Sequence, residues 1–438
     1  MREPRRDLSV DLYRVLAVIV VVLGHWLAAS LTYRGGQFGD QNVLAGLPWT
    51  QWLTLLFQVI PVFFLVAGYG NAASWSRYGD AHRWEDWIRR RVTATLGPTT
   101  LYVSAVLAAV AAIELSGADR SQLAYGASAV ALHLWFLPVY LVLVSLTPAM
   151  LAAQRRWGLA APAALTVAVA AVDAATLGAH LPVLGWANYL LGWATVYQLG
   201  VAWFSGTLSG PRPLLLTAGA LVALTILVRL ELYPLSMVAV PGAPVRNTSP
   251  PTLALLAFSA AQAGLLLALA PALARRLRTS RGRPLLATAN RNVMALYLWH
   301  MIPVVFVAAA VYPTRLLPQP ALGTAGWWLV RIPWVGLLTA VTVAGLTLFG
   351  LAHTRSRHRR PARSFRVPPT LARLTLLLGT ATAAYALFRF TTAGFAPAGR
   401  FPLTSTLLYA TGAGFVHFTR AGGNDPVERT RRAVRHRE

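Results

Sequence analysis

Long apolar blocks, each of about 20 residues, recur along almost the whole of this 438-residue chain. A helix of that length crosses the hydrocarbon core of a bilayer, whereas shorter apolar blocks are typical of the cores of water-soluble proteins. Only 12% of the residues are charged, about half the share in a soluble domain. We therefore predict an all-α fold, a polytopic transmembrane helical bundle that has the lipid bilayer as its main partner.

The hydropathy pattern predicts a bundle of about 10–12 spans. They lie at 8–30, 52–73, 93–115, 128–152, 158–178, 184–206, 213–230, 252–274, 285–311, 326–350 and 370–389, with a weaker apolar stretch at 401–418. The loops between them are too short for a soluble domain, so we expect a single transmembrane domain over 1–420. Residues 421–438 are expected to form a basic, disordered tail. The basic N-terminus lacks the small-residue cleavage site of a secretory signal, so the first span should be retained.

Positive charge is distributed unevenly between alternate loops. The formal net charge is +25, and all 39 basic residues are arginines. If the spans alternate, most of these arginines lie on the same side as the N-terminus, and few lie on the other. By the positive-inside rule the N-terminus is then cytoplasmic, and a cytoplasmic tail requires 401–418 to cross the membrane. Because the charge follows topology, we expect no nucleic-acid partner.

The first span contains two ionisable side chains, Arg14 and His25. At 100° per residue they lie on the same helix face, about 16 Å apart along the axis. A charge at the bilayer centre costs at least about 2.5 kcal/mol on insertion scales, so such residues often have a function. Two structural alternatives stay open: Arg14 snorkels to the headgroups, and His25 is a neutral residue bonded to a neighbouring helix.

Further polar and aromatic residues are predicted at a depth comparable to that of His25. His133 and Trp135 open the fourth span, and Tyr297 and His300 lie one turn apart in the ninth. An aromatic belt is an alternative explanation of the first two, and an interhelical hydrogen bond of the second two. Three histidines at similar height nevertheless favour a common site, so we predict that these four residues bind substrate.

Several chemistries find no support in the sequence. The chain has no cysteine, which excludes disulfides, zinc thiolate sites and cysteine nucleophiles. There is no phosphate-binding P-loop, no paired acidic metal site and no nucleophile-elbow serine, so we expect no metal. Gly68 and Gly70 are best explained by close helix packing. Arg89, Arg90 and Arg91 are explained as a topology anchor or as a grip on the phosphates of a cytoplasmic cofactor.

Five motifs resemble those of the membrane acyltransferase family 3. DLYRVLAVIVVVLGHW is similar to its first helix, with an arginine, ten residues and a histidine, and PVFFLVAGYG to its second. HLWFLPVY and YLWHM resemble its later histidine elements, and Arg89–Arg91 its basic segment. The chain departs from the family where 92–96 lacks a second arginine and where Pro138 and Val139 replace frequent glutamates. We expect a stand-alone membrane domain without the common hydrolase-like C-terminal domain.

The resemblance implies a membrane-bound O-acyltransferase, an enzyme that transfers groups other than aminoacyl groups, in the bacterial cytoplasmic membrane. It would move an acyl group, in particular acetyl, from a cytoplasmic acyl-CoA such as acetyl-CoA to a hydroxyl of a glycan, lipid or secondary metabolite. His25 would be catalytic, as a general base or as an acyl carrier, with Arg14 as its partner or a donor-binding residue. Arg89, Arg90 and Arg91 would bind the donor.

Two other functions fit the same intramembrane charges. One is a transporter or flippase of a lipid-linked glycan, although no internal repeat supports two inverted halves. The other is a non-catalytic partner in assembly of the cell envelope. Consumption of labelled acyl-CoA by the purified protein would exclude a pure transporter, and loss of function on His25→Ala would argue against a structural partner.

Overall fold

The computed structural model describes residues 7–78, 84–355 and 365–421, and helices make up most of this part of the chain. The α-helices in chain order are α1 Leu8–Ala28, α2 Val43–Gly46, α3 Thr54–Phe57, α4 Ile60–Tyr78, α5 Trp84–Leu115, α6 Arg120–Ala131, α7 Phe136–Trp157, α8 Ala160–Asp173, α9 Asn188–Phe204, α10 Arg212–Arg229, α11 Leu253–Thr279, α12 Arg283–Trp299, α13 Met301–Val311, α14 Ala325–Arg355, α15 Pro369–Ala393 and α16 Leu403–Phe418. The strands are β1 Leu31–Arg34, β2 Gln37–Asp40, β3 Phe365–Val367 and β4 Thr419–Ala421. The tail predicted at 421–438 lies, after its first residue, outside the described residues.

The predicted all-α membrane bundle is confirmed. Nine helical segments in the described ranges are long and apolar enough to cross a membrane, and the bent pair α12–α13 makes a tenth. Two further helices, α9 with 17 residues and α16 with 16, are slightly shorter than a usual span. Helix α10 is apolar, yet only 6% of its apolar segment is buried inside the protein, which indicates that this helix faces lipid.

The weak stretch predicted at 401–418 forms α16, which packs antiparallel against α15. Strand β4 follows α16 and pairs in parallel with β3, which precedes α15, through Phe365 opposite Thr419. The end of α16 therefore lies beside the beginning of α15. Gly379 and Gly412 allow this contact, since a Cβ on Gly412 would lie 2.5 Å from the backbone nitrogen of Ala383.

Three predicted spans are interrupted, and two of the interruptions hold site residues. In the second span the helix breaks before α4, where the buried Gln58 donates to the Met237 carbonyl at 2.7 Å. In the fourth span a 3-10 turn, Leu132–Trp135, separates α6 from α7. In the ninth, α12 and α13 meet at 53° around His300. Pro303 lacks an N–H for the carbonyl of Trp299, which weakens the helix at this bend.

The centre of one half of the bundle is α9, which packs backbone to backbone on α4. A Cβ on Gly68 would lie 2.0 Å from the carbonyl oxygen of Tyr197, and one on Gly200 would lie 2.0 Å from that of Leu65. Only glycine fits at these two positions, because an added methyl would overlap the facing backbone. The packing explanation of Gly68 is therefore the one that the structure supports.

Candidate active site

Helices α1 and α12 run side by side in the same direction and carry two polar contacts, one near each end. Arg14 contacts Asn290, and His25 contacts His300. The two contacts are eleven residues apart on α1 and ten on α12, so they lie at matching heights on parallel helices. The pairing explains why residues distant in sequence, such as His25 and His300, meet within the membrane-spanning part of the bundle.

His25 and His300, the histidine pair, are directly hydrogen-bonded. Nδ1 of His25 lies 2.8 Å from Nε2 of His300, and the two rings stack at 5.1 Å between centroids. Nδ1 of His300 lies 2.8 Å from the Tyr297 carbonyl. A carbonyl only accepts, so His300 carries its proton on Nδ1, and its Nε2 accepts the Nδ1 proton of His25. In the neutral pair this leaves the lone pair of His25 on Nε2.

Burial distinguishes the two members of the histidine pair. His300 is fully buried, whereas His25 is only partly buried. Within the described residues Nε2 of His25 has no hydrogen bond. The indole N–H of Trp26 donates to the His300 carbonyl at 2.9 Å and adds a second link between the helices. His300 thus holds His25 in one tautomer and orientation and leaves the other nitrogen of His25 without a partner among the described residues.

His133 lies against the pair but has a different environment. Its ring centroid is 4.8 Å from that of His300 and 5.3 Å from that of Tyr297. The hydroxyl of Tyr297 donates to the His133 carbonyl at 2.6 Å, which joins α12 to the 3-10 turn. Neither ring nitrogen of His133 makes a well-formed hydrogen bond in the described part of the chain. The three membrane histidines therefore form one cluster.

Trp135 is not brought into contact with the histidines. Its ring packs on Trp193 of α9, with 5.8 Å between centroids, on the α4–α9 side of the 3-10 turn. Tyr102, which was not among the predicted site residues, lies against the histidine cluster instead. Its ring contacts His133 at 5.7 Å, and its hydroxyl donates to the Val130 carbonyl at 2.6 Å.

Arg14 lies at the end of the bundle where α1 begins. Its Nη1 donates to Oδ1 of Asn290 at 3.3 Å and lies 3.8 Å from the Asp11 carboxylate. Asn290 in turn donates to Asp11 at 3.1 Å, which closes a cluster of three side chains. About a third of the Arg14 side chain is exposed. Nη2 lies beside Gly70, where an added Cβ would be 3.4 Å away.

The three consecutive arginines of α5 have three different environments. Arg89 donates to the carbonyls of Val416 and Ala372 at 2.9 and 3.1 Å, so it ties α5 to α16 and α15. Arg90 is exposed beside the Tyr78 ring. Arg91 donates to the Gly70 carbonyl at 3.4 Å. Arg14 and Arg91 therefore approach the same glycine, and we call them the arginine pair.

Asp11, Asn290 and Arg331 were not among the site residues predicted from the sequence. Asn290 precedes His300 by ten residues and so mirrors the spacing of Arg14 and His25, which is a signal that a comparison of the two spans could have found. Arg331 is a charged residue inside a predicted span, and only 8% of its surface is exposed. Among the described residues no group of three His, Asp or Glu side chains is arranged to hold a metal ion.

Comparison with known proteins assigns a family to this chain. The family described as "Acyltransferase domain", acyltransferase family 3, matches residues 7–351, which include α1 to α13 and nearly all of α14. Comparisons with curated proteins and with solved structures return no match. The family match covers most of the chain and every residue of the histidine and arginine pairs. The chain belongs to the acyltransferase family 3 and is a multi-pass membrane acyltransferase.

Proposed function

We propose that the protein is an O-acyltransferase that moves an acyl group, in particular acetyl, from acyl-CoA to a hydroxyl of a glycan, lipid or secondary metabolite. The observation that carries this proposal is the hydrogen bond between His25 and His300. It leaves a neutral imidazole nitrogen with an available lone pair in a partly buried position. Such a nitrogen is suited to act as a general base near neutral pH.

In the reaction the acceptor hydroxyl loses its proton, and the acyl carbon exchanges its bond to sulfur for a bond to oxygen. Nε2 of His25 takes the proton of the acceptor hydroxyl as its oxygen attacks the thioester carbonyl of the donor. The carbon–sulfur bond then breaks, and the CoA thiolate leaves and takes up the proton. While His25 is protonated, His300 accepts its Nδ1–H, and the Tyr297 carbonyl accepts from His300, so the pair disperses the positive charge. His25 acts as the catalytic residue and His300 as a positioning residue.

The arginine pair supports a donor site at the end of the bundle where α1 begins. Two guanidinium groups next to Gly70, a residue without a side chain, can bind the phosphates of CoA bidentately. Arg14 and His25 are about 16 Å apart along α1, so the acyl thioester must reach inward from the phosphates. The pantetheine arm of CoA, when extended, is suited to span this distance. The proposed topology places this end, with the N-terminus, on the cytoplasmic side of a bacterial cytoplasmic membrane.

The test uses the full-length protein purified in detergent or nanodiscs and supplied with acetyl-labelled acetyl-CoA. We expect the wild type to consume the donor without any ion gradient, and His25→Ala to lose that activity at an unchanged melting temperature. The matched control is His180→Asn, because His180 is exposed, outside the cluster, and asparagine tolerates its positive φ. Full activity of His25→Ala would overturn the assignment of the base. A strict requirement for a gradient would instead favour the transporter.

A further inference from the structure

A small, partly open cavity lies where α1 ends and α14 begins, beyond the histidine pair; about 20 Å³ of it, room for a group the size of a water molecule or two, is true cavity, and its open mouth accounts for the rest of about 440 Å³. Arg331 and Trp334 of α14, Tyr312, Gln319 and Ser30 are among its lining residues. Its lining contains two arginines, Arg34 and Arg331, and no acidic residue. The cavity is therefore a positively charged site at the opposite end of α1 from the arginine pair.

Arg331 is held in this cavity without an acidic partner. Its Nη1 donates to the Ala29 carbonyl at 2.7 Å, and its Nη2 to Oγ of Ser30 at 3.4 Å. The guanidinium also lies 4.1 Å from the centre of the Trp327 ring. Nε has no hydrogen-bond partner in the described part of the chain, although it is buried. No carboxylate of the described residues forms an ion pair with it.

Capping of α1 accounts for only part of this arrangement. A cation near a helix C-terminus interacts favourably with the last carbonyls, which explains the contact with Ala29. It does not explain the unpartnered Nε, the second arginine or the cavity. A buried guanidinium without a counter-charge is costly, and an anionic ligand would supply that charge.

The cavity is close to the proposed base. The backbone N–H of Ala29 donates to the His25 carbonyl, so the residue that Arg331 contacts lies one helical turn beyond His25, about 6 Å along the axis. The indole N–H of Trp334 donates to the Trp26 carbonyl at 3.1 Å, which fixes the cavity wall to the residue after His25. A ligand held at Arg331 can thus place another of its groups near His25.

We propose that this cavity binds an acidic saccharide, the acceptor of the acyl group, through its carboxylate or phosphate. Arg331 provides the charge-assisted hydrogen bonds and Arg34 a second positive charge. The aromatic rings of Tyr312 and Trp334 form an apolar wall, and Gln319 and Ser30 supply polar groups for hydroxyls, a combination usual in ligand pockets. The inference rests on the proposed function and deepens it by naming the acceptor class.

The test measures binding of three soluble probes to the full-length protein in detergent: methyl glucuronide, glucose 6-phosphate and the neutral methyl glucoside. We expect one anionic probe to bind at least about tenfold more tightly than the neutral one. The tighter of the two identifies the carboxylate or the phosphate as the recognised group. Arg331→Gln should abolish the difference, and Arg331→Lys should restore part of it.

Two further variants keep the test decisive if Arg331→Gln does not fold. Arg34→Gln changes an exposed side chain of the cavity and should reduce the preference, whereas Arg400→Gln removes an exposed positive charge outside it and should not. Equal binding of all three probes to the wild type, or no binding at millimolar concentration, would overturn the proposal. Donor consumption is measured separately with labelled acetyl-CoA, so failure of the acceptor site is distinguishable from failure of the acyltransferase function.

Discussion

Nδ1 of His25 and Nε2 of His300 lie 2.8 Å apart across the parallel helices α1 and α12. The carbonyl of Tyr297 sets the direction of this hydrogen bond, because it can only accept the proton on His300. The bond thereby determines which nitrogen of His25 is basic. A base oriented by a second group is the arrangement found in enzymes that activate hydroxyls.

Loss of the acceptor at position 300 should slow the chemical step. His300→Leu fills a similar volume but accepts no hydrogen bond, so we expect kcat to fall about 100-fold with little change in KM. His300→Gln offers an amide oxygen to Nδ1 of His25 and should recover part of the rate. Steady-state acyl transfer by the purified variants measures both. Equal rates for His300→Leu and the wild type would show that His25 does not need this partner.

Removal of the Tyr297 hydroxyl should affect stability and rate together. Tyr297→Phe loses the hydrogen bond to the His133 carbonyl, which links α12 to the 3-10 turn. This loss should lower the free energy of unfolding by about 1 kcal/mol. We expect a melting temperature lower by a few degrees and a smaller rate loss than for His300→Leu. Tyr385→Phe is a matched control, because that hydroxyl belongs to an exposed residue of α15. An unchanged melting temperature would contradict the structural role of this bond.

Arg14 should govern the affinity for the donor. Arg14→Gln removes the charge but retains a hydrogen-bonding group for Asn290, so we expect KM for acyl-CoA to rise about tenfold or more. Arg77→Gln is the control, since Arg77 is exposed near the end of α4. The same constants are measured with a CoA thioester truncated to its pantetheine part. If the truncated donor also loses affinity in Arg14→Gln, phosphate binding is not the role of Arg14.

Arg89 and Arg91 should behave differently although they are neighbours on one helix. Arg89→Gln breaks two hydrogen bonds to the backbone of α15 and α16, so the larger effect should be on melting temperature. Arg91→Gln should mainly raise KM for acyl-CoA, because Arg91 lies with Arg14 at Gly70. Thermal unfolding and steady-state kinetics on both variants provide the comparison. The reverse pattern would place the donor phosphates nearer to α15 and α16.

The contact of α4 with α9 should not tolerate a methyl group. Gly68→Ala and Gly200→Ala each place a Cβ 2.0 Å from a facing carbonyl oxygen, so we expect a loss of about 1–3 kcal/mol or failure to fold. Gly219→Ala is the control, because nothing lies within 4 Å of its added Cβ. Melting temperatures in one detergent compare the three variants. Equal stability of Gly68→Ala and Gly219→Ala would show that the helices do not pack this closely.

The sequence placed the helices well but not their interruptions. Apolar blocks report where a chain avoids water, so they predict α14 and α15 closely. They do not report a bend at His300 or a 3-10 turn at His133, because both breaks lie inside apolar stretches. The structure also differs from the prediction at Arg89–Arg91. These residues lie before the predicted span 93–115, but in the structure they belong to the first turns of α5.

The sequence by itself determined the membrane bundle, the common face of Arg14 and His25, and the family, since apolar periodicity and motif spacing are local properties of the chain. Only the tertiary structure decided that His300 is the partner of His25, that Arg91 rather than Arg89 approaches Arg14, and that Trp135 packs away from the histidines. It also brought Arg331 to the end of α1. The physical reason is that these contacts join residues on different helices that are far apart in the sequence, and only the packing of the helices determines which faces meet.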